Sequence, residues 1–319
     1  MRIFIRMIGL GMAMVSISMA VLGQKAKQQE GVPVSVTVTS KNRNAPPVIT
    51  QNEVVPRQDG NVRPVISWVP ANGSEAGLDL VLLVDGTVTT NIANRLTELQ
   101  DFLRSQPGST LEGIAYGQLG EARFEQEPTA DHDTAAKALR MSGSNSGQYS
   151  SIYDAGRDLI KKWPESKNRK AVLLVSDGYS ELGPNKDPLL SRIGAPDLSP
   201  NSFATLQHLI EQAQRSGVTF YVIYVHGARD LSENSVSAYQ SFLARLAKGT
   251  GGDSFLSGST PVSLQPYLQD IAKELSQQYI LTFAAKPTSK AGYSRLQVVV
   301  ETKNVGVLAP EQVYVAGNK

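Results

Sequence analysis

Residues 78–84 of this 319-residue chain, with the sequence LDLVLLV, decide its fold. A nearly continuous apolar run of this length is typical of a strand that is buried on both faces of a sheet. Two more runs, AVLLV at 171–175 and VTFYVIYV at 218–225, share this composition. Segments with apolar residues at helical spacing lie at 91–103, 131–140, 152–163, 204–215, 236–248 and 262–276. Because strands and helices alternate, the sequence predicts an α/β fold with a doubly wound, mostly parallel sheet.

The flanks of this region have a β pattern. Residues 32–39 alternate Val with small polar residues, and Asp59-Gly60 is a hairpin signal. The β pattern returns at 279–284 and 296–301. Neither flank has enough strands to bury a sheet face alone, so we expect both to form one small β domain. The predicted divisions are a signal peptide at 1–23, an N-terminal β segment at 24–75, the central domain at 76–277 and a C-terminal β segment at 278–319.

The first 23 residues have the composition of an export signal. Arg2 and Arg6 precede the uncharged run 7–22, and Gly23 ends the segment with a small residue. The run has 16 residues, whereas a membrane-spanning helix needs about 20. We therefore expect cleavage, no stable membrane insertion afterwards, and export to the periplasm, the cell surface or the extracellular space. The chain contains no Cys, which excludes a lipid-modified N-terminal Cys as an anchor.

Charge and composition exclude several function classes. The whole chain has 31 Lys and Arg against 29 Asp and Glu, a formal charge of +2. Two of the basic residues, Arg2 and Arg6, belong to the predicted signal, so the mature chain is neutral with 29 of each sign. A neutral chain is not expected to bind nucleic acid or an anionic membrane by bulk electrostatics. The absence of Cys also excludes disulfides, thiolate metal sites and a cysteine nucleophile.

Polar side chains lie in three loops that adjoin the predicted strands and helices. The first loop is DGTVT at 85–89, the second is GQYSS at 147–151 and the third is SDG at 176–178. In a doubly wound sheet, ligands bind beyond the carboxyl ends of the parallel strands. Two carboxylates and several hydroxyls form a hard oxygen set, which suits Mg²⁺, Mn²⁺ or Ca²⁺.

The order and spacing of these residues resemble the metal-ion-dependent adhesion site of von Willebrand factor A-type domains. That motif is written D-x-S-x-S, then a Thr in the second loop, then the Asp of a D-G pair. The matching residues here are Asp85, Thr87, Thr89, Ser150 and Asp177. The stretches SSIYDA at 150–155 and TGG at 250–252 also resemble motifs of this family. The chain as a whole is similar to the secreted bacterial proteins described as VWFA-related.

The resemblance implies a non-enzymatic protein-binding or adhesion module. A divalent cation, Mg²⁺ with Mn²⁺ or Ca²⁺ as alternatives, would bridge the site to an acidic side chain of a protein partner. Asp85 and Asp177 would supply charge to this cation, while the hydroxyl residues would supply neutral oxygens. Thr replaces Ser at 87 and 89, which adds a methyl group and stiffens χ1. The alternative is therefore a structural or assembly module of the cell envelope in which the metal site has degenerated.

A metal-dependent phosphohydrolase is the remote alternative. VDGT at 84–87 is also similar to the D-x-D-G-T loop of haloacid-dehalogenase-type phosphatases, but the position of their nucleophile is occupied by the apolar Leu83. Neither G-x-G-x-x-G after a strand nor a phosphate-binding G-x-x-x-x-G-K-[ST] motif is present. His132, His208 and His226 are interpreted as surface or hydrogen-bonded residues. We expect no catalytic residues.

Overall fold

A computed structural model of the protein describes residues 31–40, 47–86, 88–140, 151–180, 200–227, 232–256 and 263–318. The predicted signal peptide, Thr87 and Ser150 lie outside these residues, and for Thr89 only the backbone is described. No helix among the described residues is long and apolar enough to span a membrane.

The strands are numbered in chain order. They are β1 Gly31–Ser40, β2 Val54–Gln58, β3 Asn61–Val62, β4 Val65–Pro70, β5 Leu78–Asp85, β6 Thr110–Gln118, β7 Glu121–Thr129, β8 Arg169–Ser176, β9 Val218–Tyr224, β10 Ser254–Phe255, β11 Gln278–Ala284, β12 Gly292–Val300, β13 Val305–Leu308 and β14 Gln312–Val315. The α-helices are α1 Thr89–Ile92, α2 Leu96–Arg104, α3 His132–Ala138, α4 Ile152–Lys162, α5 Pro200–Ser216, α6 Glu233–Thr250 and α7 Gln265–Ser276.

The central sheet has the strand order β10-β9-β8-β5-β6-β7 in the described part of the chain. Its neighbours pair in parallel, except that β7 joins the edge as the antiparallel partner of β6. Every residue of β5 and of β9 is buried, as the apolar runs predict for strands that are covered on both faces. The predicted α/β fold with a doubly wound, mostly parallel sheet is therefore confirmed.

Helices cover both faces of this sheet. On one face α4, α5 and α6 bury apolar side chains that include Leu159, Leu209 and Leu243. On the other face α2 and α7 contribute Leu99 and Ile271 to a second core. Successive side chains of each strand point to opposite faces of the sheet, so each strand contributes to both cores.

The predicted helix at 91–103 is divided in the structure. A short 3₁₀ turn at Ala93–Arg95 separates α1 from α2. Ile92, Leu99 and Leu103 nevertheless pack in the same core. A pattern of apolar residues three and four apart does not detect this turn, because both spacings keep the side chains on one face.

Strands from the two flanks build one β domain, as expected. Its two antiparallel sheets have the orders β13-β1-β11-β4 and β14-β12-β2-β3, so each sheet combines strands from both ends of the chain. Leu281 and Phe283, which are fully buried, lie in the shared core. Trp68 stacks on Tyr279 with ring centroids 4.4 Å apart and donates its indole N–H to the Ile49 carbonyl at 3.0 Å. The domain boundaries at residues 75 and 277 stay predictions.

A polar junction joins the two domains. The buried Tyr221 hydroxyl lies 3.4 Å from Thr37 Oγ1 and accepts a hydrogen bond from Gln278 Nε2 at 3.2 Å. Arg169 donates to the Ala76 carbonyl at 3.0 Å and to the Gln278 side chain. Arg169 is the first residue of β8, and Ala76 lies two residues before β5. The opposite ends of these strands carry the predicted site residues.

Candidate functional site

Asp85 and Asp177 lie at the same edge of the central sheet. Asp85 is the last residue of β5, and Asp177 directly follows β8. These strands are parallel neighbours, with Val84 opposite Val175. Neighbouring strands are about 4.8 Å apart, so the topology brings the two predicted carboxylates together. Both residues are 0% exposed.

Ser176 joins the first and third loops. Its hydroxyl donates to Asp85 Oδ2 at 2.6 Å and accepts a hydrogen bond from the Gly178 backbone N–H at 2.8 Å. A hydroxyl that donates to a carboxylate makes a strong, short hydrogen bond, which orients the acceptor. The sequence analysis includes Ser176 in the third loop but does not name it among the site residues. The signal that indicates it is a hydroxyl residue at the end of a buried strand, directly before Asp177.

Close packing and a backbone contact hold Asp177. Its Oδ1 accepts a hydrogen bond from the Tyr179 N–H at 2.9 Å. The backbone of Gly227 approaches from the loop after β9, and a Cβ at this position would lie 1.8 Å from Asp177 Oδ2. Only glycine leaves room for the carboxylate there. Gly227 was missed, because its role depends on a contact between residues fifty positions apart.

Buried tyrosines line the protein side of these carboxylates. Tyr153 donates its hydroxyl to the Gly178 carbonyl at 3.3 Å. Burial, together with the charges of Tyr239, Asp177 and Asp85, raises the pKa of Tyr153 well above its ordinary value. Burial and the charge of Asp177 raise the pKa of Tyr224 to about 12. Both phenols therefore stay protonated at neutral pH.

The second loop reaches the third loop through Ser151. Ser151 caps the start of α4 by accepting the Asp154 N–H at 3.2 Å, and it forms an isolated antiparallel bridge with Ser180. This bridge places the residue after Ser150 beside the segment that follows Asp177. The side chain of Ser150 itself lies outside the described residues.

The first loop turns directly into α1. The Val88 N–H donates to the Asp85 carbonyl at 3.1 Å, and α1 begins at Thr89. Asn91 in this helix donates to the His226 carbonyl at 2.5 Å, so the loops after β5 and β9 are connected. His226 Nδ1 lies 2.8 Å from the Gly227 carbonyl. This contact agrees with the interpretation of His226 as a hydrogen-bonded residue.

The two carboxylates of the site are of the ligand type that a hard divalent cation prefers. Across the described residues, no three His, Cys, Asp or Glu side chains converge in a metal-binding group. Asp85 and Asp177 are the two predicted ligands whose side chains the structure describes, and both are buried at this edge. A cation held by this pair would need neutral oxygens as its other ligands. Burying two neighbouring carboxylates is costly in free energy, and a bound cation would offset their repulsion.

Comparisons with known proteins give matches in structure only. No known protein-family profile matches the chain, and no curated protein shows a significant sequence match. The chain is similar to the conserved hypothetical protein BatB from Bacteroides thetaiotaomicron, at 14% identity and a TM-score of 0.44, over 63% of this chain and 98% of that one. An aerotolerance-related membrane protein from Bacteroides fragilis matches at 14% identity and a TM-score of 0.40, over 62% of this chain and 98% of that one. The VWA domain of SpRpn10 matches at 11% identity and a TM-score of 0.38, over 60% of this chain and 93% of that one.

Proposed function

We propose that this protein is a non-enzymatic protein-binding module that contacts its partner at the carboxyl edge of the central sheet. The proposed ligands of a divalent cation at this edge, preferentially Mg²⁺, are Asp85 and Asp177 together with the hydroxyls of Thr87, Thr89 and Ser150. When bound, the cation supplies the positive charge that captures an acidic side chain of the partner. The observation that carries this proposal is the pair of buried carboxylates at the carboxyl ends of neighbouring parallel strands.

The residues around the carboxylates keep them ready to bind. The Ser176 hydroxyl sets the orientation of Asp85, and the Tyr179 N–H and Gly227 set that of Asp177. A preorganised site loses less conformational entropy when the cation arrives. The tyrosines lower the local dielectric constant, which strengthens the attraction between the carboxylates and a cation.

The protein is further proposed to act outside the cytoplasm. The predicted signal peptide at 1–23 supports export, and the neutral mature chain supports recognition at a local site over bulk charge. The proposed location is the periplasm, the cell surface or the extracellular space.

A degenerate site is the second candidate. Asp85 and Asp177 are fully buried, and Ser176 already donates to Asp85. The same arrangement suits two structural carboxylates that hold the loops together without a metal. The protein would then be a structural or assembly module of the cell envelope. Calorimetric titration of the purified chain with Mg²⁺, Mn²⁺ and Ca²⁺ separates the two candidates, because a degenerate site predicts no heat of binding.

Terbium luminescence tests the location of the cation. Tb³⁺ is a hard cation that accepts energy from nearby tyrosines, and Tyr153 and Tyr224 are close enough to Asp177 for its charge to raise their pKa values. We expect saturable luminescence on tyrosine excitation, with competition by Mg²⁺. Asp85→Asn and Asp177→Asn should abolish it. Asp270→Asn, an exposed change on α7, is the matched control and should leave the signal unchanged. Equal signals from all variants would refute the proposed site.

A further inference from the structure

The hairpin between β6 and β7 has an unusual residue at its tip. Gln118 pairs with Glu121, so Leu119 and Gly120 form a two-residue turn. Both have positive φ angles, 53° for Leu119 and 78° for Gly120. Turns of this kind favour Asn, Asp or Gly at both positions, because other side chains collide with the backbone.

A second hairpin in the same molecule shows the usual choice. Asp59 and Gly60 connect β2 to β3 with φ angles of 49° and 83°, nearly the same conformation. Among the described residues, the remaining non-glycine position with positive φ is Asn304. Leu119 therefore departs from the chemistry that this chain uses elsewhere. Its side chain is 49% exposed, so burial in the fold does not compensate the strain.

The tip of this hairpin lies at the edge that carries the candidate site. β6 runs parallel to β5, with Gly117 opposite Asp85, and the Gly86 N–H donates to the Gly117 carbonyl at 2.9 Å. A Cβ on Gly86 would lie 3.1 Å from Gln118 Cγ. Leu119 is two residues beyond Gly117, which places it about 7 Å past the level of Asp85 along the strand direction.

We propose that Leu119 is the apolar half of the partner-binding surface. This inference rests on the proposed function, in which the cation captures a carboxylate beside Asp85 and Asp177. Leu119 then packs against an apolar side chain of the same partner. An extended chain advances about 3.3–3.6 Å per residue, so the spacing fits a protein segment with an Asp or Glu within three residues of a Leu, Ile or Phe. A partner that covers Leu119 gives a reason for a strained, exposed apolar residue.

Peptide selection on the purified full chain tests this surface. A phage library of random 12-residue peptides is panned in Mg²⁺, and one enriched peptide is synthesised for affinity measurements. We expect enrichment of an acidic residue within three positions of an apolar one. Leu119→Asn should weaken binding of that peptide about tenfold. It should leave the melting temperature unchanged or raise it by about 2 °C, since Asn tolerates positive φ.

The matched control is Val48→Asn, which changes another exposed apolar side chain and should not alter binding. Selected peptides without an apolar residue, or equal binding by wild type and Leu119→Asn, would overturn the inference. If wild type and Leu119→Asn bind the peptide equally, but EDTA or the Asp85→Asn substitution abolishes binding, then the proposed function stands and the role of Leu119 is refuted. If Leu119→Asn weakens binding that EDTA and Asp85→Asn leave intact, the role of the cation is overturned and the Leu119 contact stands.

Discussion

Glu112 is an acid in the interior of the central domain. Its side chain is fully buried in β6, and neither carboxylate oxygen has a hydrogen-bond partner within the described part of the protein. It lies opposite Leu80 of β5 and two residues from Ile114, with which it shares one face of the sheet. Burial raises the pKa of Glu112 from 4.5 to about 8. The folded protein therefore keeps this side chain protonated at neutral pH.

This raised pKa makes stability depend on pH with a definite sign. The unfolded chain ionises Glu112 above pH 4.5, whereas the folded chain does so only above about 8. Between these values unfolding releases a proton, so the free energy of unfolding falls as pH rises and levels off above 8. At 1.36 kcal/mol per unit, the loss between pH 4.5 and neutrality is on the order of 3 kcal/mol.

Glu112→Gln should remove this loss, because an amide of nearly the same shape cannot ionise. We expect the variant to be more stable than wild type by about 2–3 kcal/mol near neutral pH and nearly equal to it at acidic pH. Urea unfolding at several pH values measures the difference, followed by tryptophan fluorescence, to which Trp163 of the central domain and Trp68 of the β domain both contribute. The pKa of Glu274 is also raised to about 8 by burial, so some pH dependence should remain in the variant.

Glu127→Gln, at an exposed position of β7, is the matched control and should follow the wild-type profile. Parallel pH profiles for wild type and Glu112→Gln would refute the reasoning, since Glu112 would then ionise equally in both states. A variant that is less stable than wild type at neutral pH would refute it too.

Two further predictions concern the site. Ser176→Ala removes the hydrogen bond to Asp85 and should weaken Tb³⁺ binding about tenfold, as is typical when a group that orients a metal ligand is lost. A luminescence titration measures this affinity. An unchanged affinity would show that Ser176 does not position Asp85. Gly227→Ala places a methyl group 1.8 Å from Asp177 Oδ2 and should displace that carboxylate. Cation binding by calorimetry should then be lost, whereas Gly108→Ala, which meets open space, should bind normally; retained binding in Gly227→Ala would contradict the role of Gly227.

Much of the fold could be predicted because the burial of a strand determines which residue types it contains. A strand covered on both faces must be apolar at nearly every position, and β5 and β9 meet this requirement. The shared β domain followed from a count of strands, since a pair of short strands cannot bury a face alone. The antiparallel position of β7 and the 3₁₀ turn before α2 were not predicted, because neither changes which side chains face the core.

For the candidate site too, some features could be predicted from the sequence and others could not. Asp85 and Asp177 could be placed at one edge from sequence, because loops that follow parallel strands end on the same side of the sheet. The contact of Ser176 with Asp85 and the fit of Gly227 against Asp177 could not. These depend on distances between atoms of separate strands, and the periodicity of one strand reports only its own burial.

By itself, the sequence determined the alternation of strands and helices, the β flanks and the carboxylates at the strand ends. Each of these follows from local patterning or from the direction in which parallel strands run. Only the tertiary structure decided which groups surround Asp85 and Asp177, that Glu112 is buried without a partner, and that Leu119 stands strained and exposed beside the site. The physical reason is that solvation and strain depend on what the rest of the chain places around a residue.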